Sequence, residues 1–244
     1  MITPATTITA RHPFPPEMAG TSILFVHGSF FSGWTWVPVI ERLSRHGVDC
    51  HAIELPFTSL ADDVEVVRNK VNELCDRGVT VVSHSYTGIT VSAAAHNAQH
   101  LVYVAARMPA LGESQTELSP KWGNPDFRSC LQIASDGELS LTEGAYDFLF
   151  HRSPVSLARL AMQYRRTMRS EIPVEPMENP AWITVPSSYV VCTDDRAVQL
   201  DQQRLRASWA KHSVELNADH SPFFSAPDET AQFLLEMHLT EVGK

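Results

Sequence analysis

Three kinds of side chain in this sequence could together perform acyl transfer: a serine, an acid and a histidine. Ser85 lies in VVSHSYTG, where an apolar run ends in a short polar turn. A serine becomes a nucleophile when a histidine takes its proton, and that histidine needs an acidic side chain to orient it. Asp194 and Asp195 lie in VVCTDDRAV, and His220 lies in NADHSPF. The order serine, acid, histidine is typical of one class of serine hydrolases.

The turn around Ser85 departs from the Gly-x-Ser-x-Gly pattern that usually holds such a nucleophile. Ser83 and Thr87 occupy the two glycine positions, and Gly88 follows directly. Since glycines let a strand and a helix approach closely around a strained serine, the β-branched Thr87 is expected to be the larger intrusion. Ser85 could be a working nucleophile, a nucleophile that has lost its function, or an ordinary helix N-cap serine. We predict a working nucleophile whose reaction rate is lowered but not abolished.

The negative charge of an acyl-transfer intermediate needs two backbone N–H donors. One donor is expected from Tyr86, the residue after the serine, and the other from the loop after an earlier strand. FVHGSFFSGW is that loop, in which Gly28 lets the backbone turn closely and Ser29 offers its N–H.

Apolar runs alternate with amphipathic helical patterns along most of the chain. Strands are predicted at 22–26, 48–55, 79–83, 101–106, 188–192 and 214–216. Helices are predicted at 34–47, 60–78, 86–97, 199–210 and 228–239. Continuous apolar strands that alternate with helices predict an α/β fold with a mostly parallel six-stranded sheet, covered on both faces. Ser85, the aspartates and His220 then share the carboxyl edge of that sheet, where ligands of such sheets bind.

A long segment without this alternation separates the fourth and fifth predicted strands. We interpret residues 1–244 as a single domain, with a helical cap inserted at about 113–185. In this insertion Ser153 is a candidate N-cap with Pro154 at the first helical position. The candidate substrate contacts are apolar side chains of the cap and of the loop at 25–34: Phe30, Trp122, Phe148, Phe150, Tyr164 and Met168.

Composition narrows the classes of partner. The chain of 244 residues carries a formal net charge of -9, which argues against nucleic acid and anionic membranes. The four cysteines form no CxxC pair, so no metal site is expected. Acyl transfer by a serine needs no cofactor, and the expected partner is a small-molecule substrate. The first twenty residues hold no apolar signal-peptide core, so a cytoplasmic location is expected.

These motifs resemble those of α/β-hydrolases, and in particular of bacterial hydrolases related to plant methyl-ester esterases and hydroxynitrile lyases. FVHGSFFSGWTW, LVYVAARMPALGES, YVVCTDDRAV and DHSPFFSAPDE carry the resemblance, which covers nearly the whole chain from residue 21 and is weakest in the cap. It implies an α/β-hydrolase fold with Ser85 as nucleophile, His220 as base and Asp195, rather than Asp194, as the acid.

The resemblance also separates two branches of that family. The lyases have a threonine in the loop after the first strand and a lysine after the histidine, and this chain has Gly28 and Ser221 there. The resemblance therefore implies an esterase that cleaves small apolar esters through an acyl-enzyme on Ser85. Two alternatives stay open: a lyase or cyclase of small-molecule biosynthesis that uses the same residues as a base, and a non-catalytic ligand-binding protein.

Overall fold

The computed structural model describes residues 21–114, 120–169 and 175–241. Its strands are β1 (Ser22–Val26), β2 (Asp49–Ile53), β3 (Val79–His84), β4 (His100–Val104), β5 (Leu131–Ile133), β6 (Glu138–Leu141), β7 (Met168–Arg169), β8 (Ser187–Cys192) and β9 (His212–Leu216). Its α-helices are α1 (Val37–Arg45), α2 (Leu60–Leu74), α3 (Thr87–Ala94), α4 (Pro125–Arg128), α5 (Tyr146–Leu149), α6 (Val155–Gln163), α7 (Leu200–Ala207), α8 (Pro222–Ser225) and α9 (Pro227–Glu241).

Six strands form one sheet in the order β2-β1-β3-β4-β8-β9. All five pairings in this sheet are parallel, so the predicted parallel sheet is confirmed. The central strands β1, β3, β4 and β8 are buried throughout, because helices follow the strands and cover the sheet.

The helices form where local sequence signals agree with burial. Ser59 caps α2 by accepting a hydrogen bond from the Asp62 N–H, and the chain leaves the short 3-10 turn after α2 at Gly78 with φ +85°. Val64, Val67 and Val71 form the buried stripe of α2. In the packed molecule α2 lies against α3, and α1 lies against α9.

Strand register brings the candidate residues to one edge. Ser83 and His84 in β3 pair with residues near the end of β4, and β8 ends beside β9, where Cys192 pairs with Leu216. The loops that follow β3, β8 and β9 therefore leave the sheet at the same end. These loops carry Ser85, Asp195 and His220.

The segment between β4 and β8 differs from the expectation of helices alone. It contains a small antiparallel sheet of β5, β6 and β7 in addition to the short helices α4, α5 and α6. The strands were missed because they have two to four residues, too few for alternation to be recognised. The boundaries of the inserted cap stay a prediction.

Within residues 21–114, 120–169 and 175–241, no helix has both the length and the apolar character that crossing a bilayer demands.

Candidate active site

Ser85 occupies a strained turn between β3 and α3. Its φ is +54°, in the left-handed region that a non-glycine residue rarely adopts. Its carbonyl oxygen accepts a hydrogen bond from the Arg107 N–H at 2.9 Å. A Cβ at Gly88 would lie 2.5 Å from the carbonyl oxygen of Arg107, so glycine is required at 88 for this close approach. The sharp turn holds Ser85 at the carboxyl edge of the sheet.

The two residues that replace the usual glycines are hydrogen-bonded within the turn. The Thr87 hydroxyl accepts from the His84 N–H at 3.1 Å and lies 3.0 Å from the His84 carbonyl oxygen. The Ser83 hydroxyl donates to the Val102 carbonyl at 3.3 Å. Both side chains are fully buried. Thr87 therefore belongs to the turn as a bonding partner, which corrects the expectation of a steric intrusion.

His220 and Asp195 form the closest acid–base pair at this edge. His220 Nδ1 lies 2.7 Å from Asp195 Oδ2, and both side chains are buried. The Nδ1–H therefore donates to the carboxylate, which leaves Nε2 as the basic nitrogen. Ser85 and His220 line the same cavity.

Asp195 is held by four hydrogen bonds in all. Its Oδ1 accepts from the N–H groups of Ala197 and Val198 at 2.8 and 2.9 Å. Its Oδ2 also accepts from Gln203 Nε2 at 2.9 Å, and Gln203 in turn accepts from the Cys192 N–H. These bonds fix the carboxylate towards His220.

Asp194 has different partners. It contacts Arg152 Nη1 at 2.9 Å and His151 Nε2 at 3.3 Å, and its side chain is 40% exposed. The Arg152 guanidinium and the His151 ring hold the pKa of Asp194 below its usual value against the opposing effect of burial. His220 is thus bonded to Asp195, whereas Asp194 contacts the segment that precedes α6.

The loop that carries His220 is tied to that same segment by Asp219. This buried carboxylate accepts hydrogen bonds from the Ser221 N–H and the Ser225 hydroxyl through one oxygen. Through the other oxygen it accepts from the Arg152 N–H and the Ser153 hydroxyl, each at 2.9 Å. The prediction of Ser153 as a helix N-cap is wrong, because α6 begins at Val155 after Pro154 and the Ser153 hydroxyl is bonded to Asp219.

His84 packs beneath the site as a neutral ring. Burial, followed by the effect of His220, lowers the pKa of His84 well below its ordinary value. Its Nε2 donates to the His220 carbonyl at 2.8 Å, and the two rings lie 4.7 Å apart. A Cβ at Gly28 would lie 2.5 Å from His84 Nδ1, which explains a glycine at 28.

The two candidate N–H donors both belong to residues of the cavity wall, Ser29 and Tyr86. In the described part of the chain, no protein acceptor is hydrogen-bonded to either N–H. Phe30, next to Ser29, has φ +66°. The Tyr86 hydroxyl donates to buried Asp63 at 3.1 Å, which anchors the side chain away from its own N–H.

A cavity of about 450 Å³ lies over Ser85. Its wall is mainly apolar and comes from both the sheet edge and the segment between β4 and β8. The apolar lining residues are Phe30, Phe31, Tyr86, Ile89, Trp122, Phe127, Leu131, Ile133, Leu139, Leu149, Met168, Ala197 and Val198.

Of the six predicted substrate contacts, Phe30, Trp122 and Met168 line this cavity. Phe148, Phe150 and Tyr164 do not. Phe150 is buried in the core against Phe31 and Phe224, and Phe148 packs on Phe127. Tyr164 is 60% exposed at the end of α6. Their apolar type and their position in the cap made all three candidates, but the direction in which each side chain points depends on the tertiary fold.

Gln203 and Arg107 are among the site residues that the sequence analysis missed. Gln203 lies in the helix predicted at 199–210, and its position in that helix does not indicate a bond to Asp195. Arg107 did carry a signal, since it is a cation directly after the apolar run LVYVAA at the functional edge of the sheet. Burial lowers the pKa of Arg107 to about 10, so the side chain stays charged at neutral pH.

Comparisons with known proteins agree with this architecture. A family model described as "Alpha/beta hydrolase family" matches residues 23–233. Methylesterase 7 of Arabidopsis thaliana is 26% identical and covers 88% of this chain and 95% of its own length. A pyrethroid hydrolase from Sphingobium faniae JZ-2 superposes with a TM-score of 0.75 at 18% identity, covering 89% of this chain and 97% of its own. Tomato methylketone synthase I, complexed with 2-tridecanone, superposes with a TM-score of 0.78 at 15% identity, covering 91% and 99%. At these identities the two solved structures are alike in fold alone.

Proposed function

Because this chain belongs to the alpha/beta hydrolase family and is related to plant methylesterases, as its motifs predict, we propose that it is a serine carboxylesterase. Its substrates are small esters with an apolar body. The observation that carries the proposal is the 2.7 Å contact between His220 Nδ1 and Asp195 Oδ2 at a cavity whose wall includes Ser85.

The proposed reaction begins with attack of Ser85 Oγ on the ester carbonyl. His220 Nε2 takes the serine proton and then donates it to the leaving alcohol. Asp195 keeps the imidazole in the required tautomer and stabilises its charged form. Water then attacks the acyl-enzyme, with His220 again as the base, and releases the acid. These steps require neither a metal nor an organic cofactor.

The oxyanion of each tetrahedral intermediate is bound by the N–H groups of Ser29 and Tyr86. Removing one such donor typically costs about 10²–10³-fold in turnover, so both groups contribute substantially to the rate. The strained φ of Ser85 supports its proposed role as the nucleophile, since sparsely populated backbone conformations cluster at reactive positions.

The substrate class is inferred from the cavity. A volume of about 450 Å³ with a mainly apolar wall suits a small ligand of limited polarity. Methyl esters of apolar acids are the first candidates, because a related protein bears the name methylesterase.

The test combines covalent labelling with turnover. A fluorophosphonate should label Ser85, and 4-nitrophenyl butyrate should be hydrolysed. Ser85→Ala should lose both, while Ser156→Ala, an exposed serine of α6 outside the cavity, should keep both. A folded protein that is neither labelled nor active on esters would refute the proposal and favour a ligand-binding protein. Release of cyanide from mandelonitrile, abolished by Ser85→Ala, would instead favour the lyase alternative.

A further inference from the structure

The loop at 27–32, which follows β1, has an unusual backbone next to a candidate oxyanion donor. It carries Ser29, whose N–H is the proposed donor, and Phe30, whose φ of +66° lies in the left-handed region. A residue other than glycine keeps such a conformation only where the surrounding contacts enforce it. The contacts that hold this loop therefore determine the direction of the Ser29 N–H.

Glu54, directly after β2, holds the far end of the loop. Its Oε1 accepts a hydrogen bond at 2.7 Å from the N–H of Gly33, the residue that follows the loop. A Cβ at Gly33 would lie 3.0 Å from the Ile53 carbonyl oxygen, so the chain packs closely against the end of β2 at this point. Glu54 Oε2 lies 3.6 Å from Nε2 of His27, which begins the loop. One carboxylate thus contacts both ends of the loop.

Arg166 holds the middle of the loop from the cap. Its backbone N–H donates to the Phe30 carbonyl at 2.6 Å. Its guanidinium Nη1 donates to Glu54 Oε2 at 3.3 Å and lies over the Phe57 ring, 4.9 Å from the ring centroid. The cap is therefore bonded to the loop both directly and through Glu54.

We propose that Glu54 and Arg166 are positioning residues for the oxyanion hole: their contact joins the cap to the loop at 27–32 and holds the Ser29 N–H in the direction that binds the oxyanion. Neither side chain belongs to the cavity wall in the part of the chain that the structure describes. Their effect is therefore on the transition state rather than on the bound ester, because the N–H matters most when the carbonyl oxygen carries charge. This inference rests on the proposed esterase function and adds two residues to its machinery.

A rival explanation is that the pair only stabilises the fold. The side chains of Glu54 and Arg166 are 38% and 33% exposed, and ion pairs as exposed as this contribute little to stability. A purely stabilising contact leaves the catalytic constants of the folded molecules unchanged. A contact that only shapes the cavity weakens the binding of every ligand alike. Loss of positioning, in contrast, weakens only those ligands that form an oxyanion.

The experiment compares two inhibitors of equal length, 1,1,1-trifluorooctan-2-one and octan-2-one. Ser85 Oγ adds to the activated carbonyl carbon of the first, the serine proton passes to His220 Nε2, and the carbonyl oxygen becomes an oxyanion. The second occupies the same space without forming that bond. The ratio of their inhibition constants therefore measures stabilisation of the oxyanion. The wild-type protein should bind the trifluoro compound about 100-fold or more tightly than octan-2-one, as is usual for transition-state analogues.

Arg166→Met removes the guanidinium, and Glu54→Gln places an NH2 group opposite one of the two donors, the Gly33 N–H or the Arg166 guanidinium. Each variant should lower kcat/KM for 4-nitrophenyl butyrate by about 10-fold, since small displacements at a reactive site cost up to about 10²-fold. The inhibitor ratio should fall by the same factor, while inhibition by octan-2-one stays unchanged. Arg166→Lys should restore part of the loss, because it keeps the charge opposite Glu54. The double variant should lose less than the product of the single losses, because both act through one contact.

Glu143→Gln is the matched control. Glu143 pairs at 2.8 Å with Arg165, the neighbour of Arg166, and has no described contact with the loop at 27–32. This variant should keep both kcat/KM and the inhibitor ratio. The acidic limb of the pH profile of kcat/KM, which reports the catalytic base, should coincide in all variants.

Equal weakening of both ketones, or an inhibitor ratio that Arg166→Met and Glu54→Gln both leave unchanged, would overturn the inference while ester hydrolysis itself persists. A shifted acidic limb would assign the effect to His220 and would overturn it as well. If the wild-type protein bound the two ketones equally and hydrolysed no ester, the proposed function would be wrong, and this inference with it.

Discussion

At the scale of single residues, the second aspartate of the TDD sequence differs from the first in every contact. Asp195 accepts four hydrogen bonds, one of them from His220, whereas Asp194 is bonded to the side chain of Arg152 at the surface. The two residues lie at the turn after β8, and their side chains leave it towards different partners, so that only Asp195 faces the histidine. Of the two carboxylates, only that of Asp195 is bonded to His220.

Asp195→Asn should reduce kcat on the order of 10⁴-fold, because the imidazole loses both its oriented tautomer and the stabilisation of its charged form. Asp194→Asn weakens the partly exposed contacts with Arg152 and His151, neither of which reaches His220, and should change kcat less than about 3-fold. Steady-state kinetics with 4-nitrophenyl butyrate measure both. If Asp194→Asn were the more damaging change, the assignment of the acid would be wrong.

Thr87 gives a second prediction at this scale. Thr87→Val keeps the shape of the side chain but leaves the buried His84 N–H without its acceptor, so the free energy of unfolding should fall by about 1–3 kcal/mol. Thr87→Ser keeps the hydroxyl and loses one buried methyl group, and the fall should be about 1 kcal/mol. Urea denaturation followed by circular dichroism measures both values. Equal losses for the two variants would show that the hydroxyl contributes nothing.

At the scale of elements, the loops of the sheet edge and the cap are fastened to each other by carboxylates. Asp219 bridges the histidine loop to Arg152 and Ser153, and Asp194 pairs with the neighbouring side chain of Arg152. The segment just before α6 is thus attached to both loops that carry the candidate acid and base. Movement of the cap and the position of His220 should be coupled.

Asp219→Asn tests this coupling. In either orientation the new NH2 group faces a backbone N–H, that of Arg152 or that of Ser221, so at least one buried donor loses its partner. We expect faster hydrogen exchange in α5 and α6 together with a lower kcat, measured by mass spectrometry and by ester turnover. Ser153→Ala, the matched control, removes a single hydrogen bond and should produce a smaller change in both. Unchanged exchange in α5 and α6 would contradict the proposed attachment.

At the scale of the whole molecule, buried histidines couple stability to pH. Burial lowers the pKa of His27, His100 and His238 to about 4. His238 lies between the hydroxyls of Thr21 and Thr80, and His100 contacts Ser188. Each ring is neutral when folded at neutral pH and gains a proton more readily when the chain unfolds.

The sign of the effect follows from proton binding. Between pH 6.5 and about 4 the unfolded chain binds more protons at these rings than the folded chain does. The free energy of unfolding should therefore be highest above pH 6.5 and should fall as the pH drops through this window, on the order of 1–2 kcal/mol per histidine by pH 5. Urea titrations at pH 7 and pH 5 measure the difference. His238→Gln should flatten the dependence, whereas substitution of exposed His46 by Gln serves as the control for the loss of one imidazole.

The sequence by itself determined the sheet and the order of the candidate residues along it. Short β-branched apolar runs such as SILFV and VTVVS, alternating with helical patterns, predict buried central strands. Gly88 and Gly28 stand at two places where the backbone must approach another group. Ser85, Asp195 and His220 follow strand ends in a fixed order, and parallel strands carry their ends to one edge. These inferences use periodicity and chain order, which are local properties.

Only the tertiary structure decided which side chains face the cavity. Phe148 and Phe127 are equally apolar, yet only Phe127 lines the cavity, because that choice depends on how the cap segments fold onto the sheet. The same holds for Arg107, whose charge is plain in the sequence but whose place among apolar walls is not. Gln203 is a polar residue of an ordinary helix until packing brings its amide to Asp195. Orientation arises from contacts between residues far apart in the chain, and such contacts leave no periodic trace in the sequence.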